Sequence, residues 1–221
     1  MKHRRLLACA AVLSALCGGS QAALVTYYFR GTFSTATGLA TSFASPDFTG
    51  QFSYDSTLAP FFSGANFSQF RLPAGALTAA SVDGSASSQG SPNNLVNTVW
   101  GSAITSSTVS GFGDYLRMNA SADFTGSWLG FDSANLLLLD TGRTALGSNL
   151  SGLPASLPGL AGWTGTEFSL FSQTGTSVAA GALGCLSAQA NVCSATRVPE
   201  PGTLALVALA LAGLRSFRRP R

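Results

Sequence analysis

Four aspartates, Asp114, Asp123, Asp132 and Asp140, recur every eight or nine residues, a spacing that could gather carboxylates at one end of a β-sheet. Glycoside hydrolysis uses two such carboxylates, and Ca²⁺ takes its oxygen ligands from clustered acids. The same spacing is also that of strand ends. Asp favours turns because its side chain bonds the nearby backbone, so turn duty is the simpler reading, and no D-x-D-x-D-G calcium loop is present. Other chemistries lack their residues. Beyond Lys2 and His3 the chain has no Lys and no His, and Glu167 is the only acid other than Asp before the tail. Triads using His, Schiff bases and His-ligated metals are therefore excluded, phosphate-cradling Gly loops are missing, and neither a cofactor nor a metal is expected. Trp100, Trp128 and Trp163 could stack on sugars, yet Trp is also usual in β cores, and at least two of the three are expected there. Thr35-Ala36-Thr37, Thr164-Gly165-Thr166 and Thr174-Gly175-Thr176 do not form the regular array that an ice-binding face needs.

The elements that must position these residues read as antiparallel β. Val25 to Phe33 is rich in β-branched and aromatic residues, and Phe48 to Asp55 alternates larger with small or polar positions at period two, which buries one sheet face. Further candidate strands are Phe67 to Leu72, Leu77 to Val82, Leu95 to Ile104, Tyr115 to Ala120, Ser127 to Phe131, Leu136 to Asp140 and Glu167 to Phe171, separated by Gly, Pro, Asn, Asp and Ser clusters. Many short strands punctuated in this way favour an antiparallel β-sandwich, jelly-roll-like or Ig-like, over alternating βα units. Leu146 to Gly165 is expected as a long loop. Residues 23–171 are then the β-rich domain, and 172–197, small and polar, a flexible spacer with a disulfide loop.

Charge is placed unevenly. The whole chain carries +3, but the positives cluster at the two ends, and between them Arg30, Arg71, Arg117, Arg143 and Arg197 face eight acids. The body is slightly acidic. Nucleic-acid binding needs clustered Lys and Arg, so that class is rejected.

At the N-terminus, residues 1–22 have three parts: basic Met1 to Arg5, apolar Leu6 to Leu16, and the small-residue exit Ser20-Gln21-Ala22. This is the layout of a secretory signal helix, with signal peptidase cutting between Ala22 and Ala23. Cys185 and Cys193 then remain as an even pair, expected to form a disulfide in an oxidising compartment rather than a metal site. At the C-terminus, Val198-Pro199-Glu200-Pro201 is followed by an apolar run to Leu214 and then by Arg215, Arg218, Arg219 and Arg221. The prolines hold the motif extended and present Glu200 as a lone carboxylate. The run reads as a short membrane helix stopped by the Arg cluster, a temporary tether, because thirteen residues give about 20 Å against a hydrocarbon core of about 30 Å.

Residues 198–221 resemble the PEP-CTERM sorting signal of Gram-negative bacteria, also labelled an ice-binding protein C-terminal domain. The resemblance implies recognition of Pro-Glu-Pro by an exosortase-type enzyme in the membrane during export, and delivery to the cell envelope or beyond. The opening strands, with Gly50 to Asp55, also resemble the first hairpin of many exported proteins with this tail. Function is accordingly expected to be that of a non-enzymatic surface or matrix protein in the company of exopolysaccharide or biofilm. The alternative is an exported carbohydrate-active enzyme using paired Asp residues.

Overall fold

In the computed structural model, which describes residues 24–90, 94–146, 152–174 and 178–193, eleven antiparallel strands make one sheet. They are β1 (Leu24–Thr37), β2 (Asp47–Asp55), β3 (Phe62–Ser63), β4 (Phe67–Leu72), β5 (Leu77–Ser81), β6 (Ala86–Gly90), β7 (Asn94–Thr105), β8 (Ser110–Gly126), β9 (Ser133–Asp140), β10 (Gly165–Phe171) and β11 (Val178–Ser187). Eight of them close a barrel in the order β8–β9–β10–β11–β1–β2–β5–β6, with β6 returning to β8. The 17-residue β8 makes closure possible. It pairs β9 along 114–121 and meets β7 along 110–119 and β6 along 122–126, one after the other. From β7 the sheet runs on through β4 to β3 as a wing outside the ring.

The interior is filled by period-two alternation. Tyr27, Phe29 and Phe33 on β1 and Phe48, Phe52 and Tyr54 on β2 are buried, while Tyr28, Arg30 and Gln51 face outward. Where both strands would place a ring at one level there is no room, and glycine resolves the conflict. Phe29 pairs with Gly50 and Phe48 with Gly31, so each ring covers the glycine of the neighbouring strand. A Cβ added at Gly50 would lie 2.4 Å from Phe29 Cζ, and one at Gly31 would lie 2.5 Å from Phe48 Cζ. Large-against-nothing pairing of this kind suits an eight-stranded barrel, whose bore is just wide enough for side chains. Phe168 from β10 meets Phe29, Phe33 and Phe48 in the middle, with centroids 4.9 to 6.1 Å apart. Leu116, Met118, Leu136 and Leu138 complete the filling.

Trp128 lies in the turn between β8 and β9, fully buried, edge-on to Phe33 and against Phe43. The long connection from β9 to β10 packs Leu146, Leu153, Leu157 and Trp163 into the same core. Two tyrosines hold it. Tyr27 Oη donates to Leu157 O at 2.5 Å and accepts from Leu157 N at 2.7 Å, and Tyr54 Oη donates to Pro154 O at 2.8 Å. Burial, reinforced by neighbouring Tyr27, pushes the Tyr54 phenol well above its ordinary pKa, so it stays a donor.

The expected sandwich with signal and membrane helices is not the fold found. Sandwich and barrel need the same alternation along each strand, and they differ only in whether the outermost strands find each other, here through β8. No helix among the described residues is long and apolar enough to cross a membrane. The signal segment 1–22, the Ala22–Ala23 cleavage point, the motif Val198-Pro199-Glu200-Pro201, the apolar run after it and Arg215, Arg218, Arg219 and Arg221 lie outside the described residues. Within the expected spacer, Val178–Ser187 is a barrel strand paired to both β1 and β10. Its Ala-Gly-rich composition fits the tight interior, where a Cβ at Gly181 would lie 2.0 Å from Thr32 O. Ser127 to Phe131, expected as a strand, is a turn. The expected Cys185–Cys193 disulfide is present, fastening the helical turn Ala190–Cys193 to β11.

Replacing Tyr27 by Phe removes both hydrogen bonds to Leu157 and leaves buried backbone groups unpaired, a loss of about 1–3 kcal/mol. Urea denaturation of Tyr27→Phe is expected to show that loss with the far-ultraviolet dichroism of the barrel retained. An unchanged midpoint would mean that the loop is held by its leucines alone.

Candidate binding cleft

The run Leu136-Leu137-Leu138-Leu139 is apolar on both faces of β9, and both faces are covered. Leu136 and Leu138 point into the barrel. Leu137 and Leu139 point outward and are roofed by Val109, with Ile104 and Tyr115, where the β7–β8 hairpin folds back over the outer wall. The tip of that hairpin, Ser106 to Val109, closes on itself through Ser106 N to Val109 O at 2.8 Å. It is then tied down by Glu167. One carboxylate oxygen, Oε2, accepts from Ser106 Oγ at 2.8 Å, Thr108 N at 2.6 Å and Thr108 Oγ1 at 2.6 Å. Glu167 is only 2% exposed, yet it sits on the outer side of β10, opposite the inward Phe168.

Under this tip lies a cleft of about 310 Å³. Its floor follows the strand register. Arg117, Leu137 and Glu167 form one row across β8, β9 and β10, and Asn119, Asn135 and Ser169 form the next. Arg117 and Glu167 therefore stand two strand spacings apart, about 10 Å between backbones, with an apolar residue between them. Arg117 is exposed and, among the described residues, donates only its Nε, to Asn119 Oδ1 at 3.0 Å, which leaves the end of the guanidinium facing solvent. Ser107 and Phe171 also line the cleft. The arrangement offers an anion-binding guanidinium, a carboxylate, an amide and hydroxyls around one apolar patch. That is the chemistry for orienting a polar ring bearing an acid group.

The four aspartates divide into two pairs. Asp114 and Asp140 are direct cross-strand partners on β8 and β9, both buried. Asp114 accepts from Gly101 N at 2.7 Å and pairs with Arg143 Nε at 3.0 Å. Arg143 reaches it from a left-handed backbone conformation, φ 59°, with its guanidinium lying against Gly101. Asp140 accepts from Gly142 N, Thr144 N, Thr144 Oγ1 and Ala145 N, and so builds the turn that carries Arg143. Neither lines the cleft. Asp123, exposed, pairs with Gln89, and Asp132 accepts from Gln173 N near the other end of β8. Trp100, Trp128 and Trp163 are all buried, so none offers an exposed stacking platform. Among the described residues no three His, Cys, Asp or Glu side chains gather to hold a metal ion. The residues that do converge, Arg117, Asn135 and Glu167, were signalled only by Glu167 being the one charged residue of its strand.

Burial works against ionising Asp140, but hydrogen bonds from Thr144, Ala145 and Gly142 outweigh it and hold the carboxyl below its ordinary value. A folded-state pKa below the unfolded one means stability that is complete above about pH 4 and is lost as the pH falls through the folded value. Asp140→Asn is expected to be less stable at pH 7 and to show a shallower loss of melting temperature between about pH 4 and pH 2 than the native chain. Parallel acid limbs would place the titration elsewhere.

Residues 197–219 match the PEP-CTERM protein-sorting motif. No curated protein and no solved structure matches the chain. The match takes in Val198, Pro199, Glu200 and Pro201 and, downstream, Arg215, Arg218 and Arg219, and it begins four residues after Cys193, where the described chain ends. The chain thus carries a PEP-CTERM protein-sorting motif, and it is an exported protein of the cell envelope processed by exosortase, a membrane enzyme.

Proposed function

We propose that the exported barrel is a non-enzymatic surface or matrix protein of a Gram-negative cell that holds exopolysaccharide, with the cleft under the β7–β8 tip as the site for an acidic glycan. The observation that carries this reading is the row Arg117–Leu137–Glu167 beside Asn119–Asn135–Ser169. A uronate carboxylate would pair with the free end of Arg117 and its hydroxyls would reach the half-buried Asn135, while Leu137 and Glu167, both buried under the hairpin tip, form the back of the cleft. The alternative, hydrolysis by paired aspartates, has Asp114 and Asp140 side by side, but Asp114 Oδ1 accepts from Gly101 and Arg143, both Asp140 oxygens accept from the turn at 142–145, and neither residue lines the cleft. That leaves no carboxyl pair facing the cleft.

Affinity electrophoresis through gels containing the acidic exopolysaccharide of the producing cells tests the site. Arg117→Ala is expected to weaken retardation about tenfold, equivalent to about 1.4 kcal/mol, without changing the melting temperature. Equal retardation of variant and native protein would remove the cleft as the site, and release of reducing ends that stops in Asp114→Asn would favour the hydrolase.

Processing is tested by intact mass. Material from the cell surface and medium is expected to begin at Ala23 and to lack the residues beyond the Pro-Glu-Pro region, while Glu200→Ala accumulates uncut. Retention of Arg221 in surface material from both strains would contradict cleavage at the motif.

A further inference from the structure

The opposite wall of the barrel carries a second polar surface. Going round the ring from β9, β2 lies four strands away in either direction. On its outer face the register aligns Tyr28 of β1, Gln51 of β2, Thr78 of β5 and Gln89 of β6 in a single row. Thr49, Ala80 and Ser87 form the adjacent row, which Arg30 of β1 continues past Thr49, just as Asp123 of β8 continues the first row past Gln89. Ala80 and Ser87 are small, and the wall there has a shallow, wide-open trough of about 410 Å³. None of its lining side chains is charged. The side chains of Tyr28, Gln51, Thr78 and Gln89 make no hydrogen bond to other described residues, so an ordered line of amide and hydroxyl groups faces outward.

We infer that this trough is a second glycan site, for an uncharged polysaccharide chain, and that the protein cross-links two polymers held on opposite walls. Charge decides the occupant. Arg30 borders the trough beside Thr49 and Asp123 borders it beside Gln89, so a polyanion or a polycation would meet one attractive and one repulsive charge, and an apolar partner would bury unpaired amides at a cost of about 1–3 kcal/mol each. A neutral sugar chain meets every group in kind, because hydroxyls both donate and accept. Neighbouring strands place successive side chains about 4.8 Å apart, close to the advance of one sugar unit along an extended chain, so the row Tyr28–Gln51–Thr78–Gln89 addresses consecutive units. Tyr28 at one end supplies a ring face for stacking. Cross-linking requires the cleft to hold its acidic chain as proposed above. The trough requires nothing from the cleft.

The test uses the full protein recovered from cells, with their exopolysaccharide divided by anion exchange into neutral and acidic fractions, and dextran and amylose as further uncharged probes. Gels containing the neutral fraction or either probe are expected to retard the native protein. The double variant Gln51→Ala, Gln89→Ala is expected to be retarded at least tenfold less by these, with acidic retardation and melting temperature unchanged. Both positions are exposed on the barrel surface, so the fold is expected to persist. Native protein running unretarded through every uncharged polymer, or a double variant retarded as strongly as the native protein, overturns the trough site. Loss of acidic retardation in the native protein, with neutral retardation present, would instead defeat the cleft and leave the trough standing. Mixed neutral and acidic fractions are expected to turn turbid with native protein and to stay clear with either Arg117→Ala or the double variant. A clear mixture with native protein that binds each fraction separately overturns cross-linking.

Discussion

Closure of the sheet through β8 is the constraint on which the remaining structure depends. Because β8 pairs with β9 and β6 as well as β7, the eight ring strands have no unpaired edge between them, and the backbone donors and acceptors of the wall are satisfied within it. A closed wall has one face for the core and one for the surroundings, which is why the outward residues of this chain can be polar and ordered at once. It also fixes the angular position of every outward row. The cleft on β8–β10 and the trough on β1, β2, β5 and β6 are opposite each other because of strand order, not because of any contact between them.

Within the wall, β1 and β2 pack by interleaving rings with glycines. Any side chain at Gly31 or Gly50 would have to displace Phe48 or Phe29, each completely buried. Large-to-small changes at such rings remove about 3–5 kcal/mol, a large share of the margin of a small domain. β11 lies directly beside this pair, and the disulfide from Cys185 to Cys193 secures the last described residues to it. The sorting motif, matched from residue 197, therefore begins four residues in sequence after Cys193, a fixed point on the barrel.

Much of the wall was legible in the sequence, because each strand carries its own alternation. β1, β2, β4, β5, β7 and β10 stand close to where aromatic and β-branched residues placed them. Strands whose signal is volume rather than hydrophobicity were missed. β6 reads Ala-Ser-Ser-Gln-Gly and β11 reads Val-Ala-Ala-Gly-Ala-Leu-Gly, small residues that look like linker until their neighbours are known. Pairing was not legible at all, since nothing in Ser110–Gly126 states that its last five residues meet Ala86–Gly90. The same gap hid the cleft. Arg117 and Glu167 are fifty residues apart and become neighbours only through Leu137. The disulfide and the sorting motif, by contrast, were readable because their meaning lies in residue type and local order.

Glu167 performs two tasks that pull in different directions. Its Oε2 fastens the hairpin tip that roofs Leu137 and Leu139, and the same side chain lines the cleft beneath that tip. A neutral isostere at 167 would weaken three charge-assisted bonds and loosen the roof as well as change the cleft. Any loss of glycan retention in such a variant would confound the two effects. Arg117 is free of that ambiguity, since its one described bond runs along its own strand to Asn119 and the tip does not depend on it. The division also explains the placement of the only glutamate in the body. An aspartate at 167, one methylene shorter, would have to move toward the tip to keep its three donors, and the cleft would lose the carboxylate that faces Arg117 across Leu137.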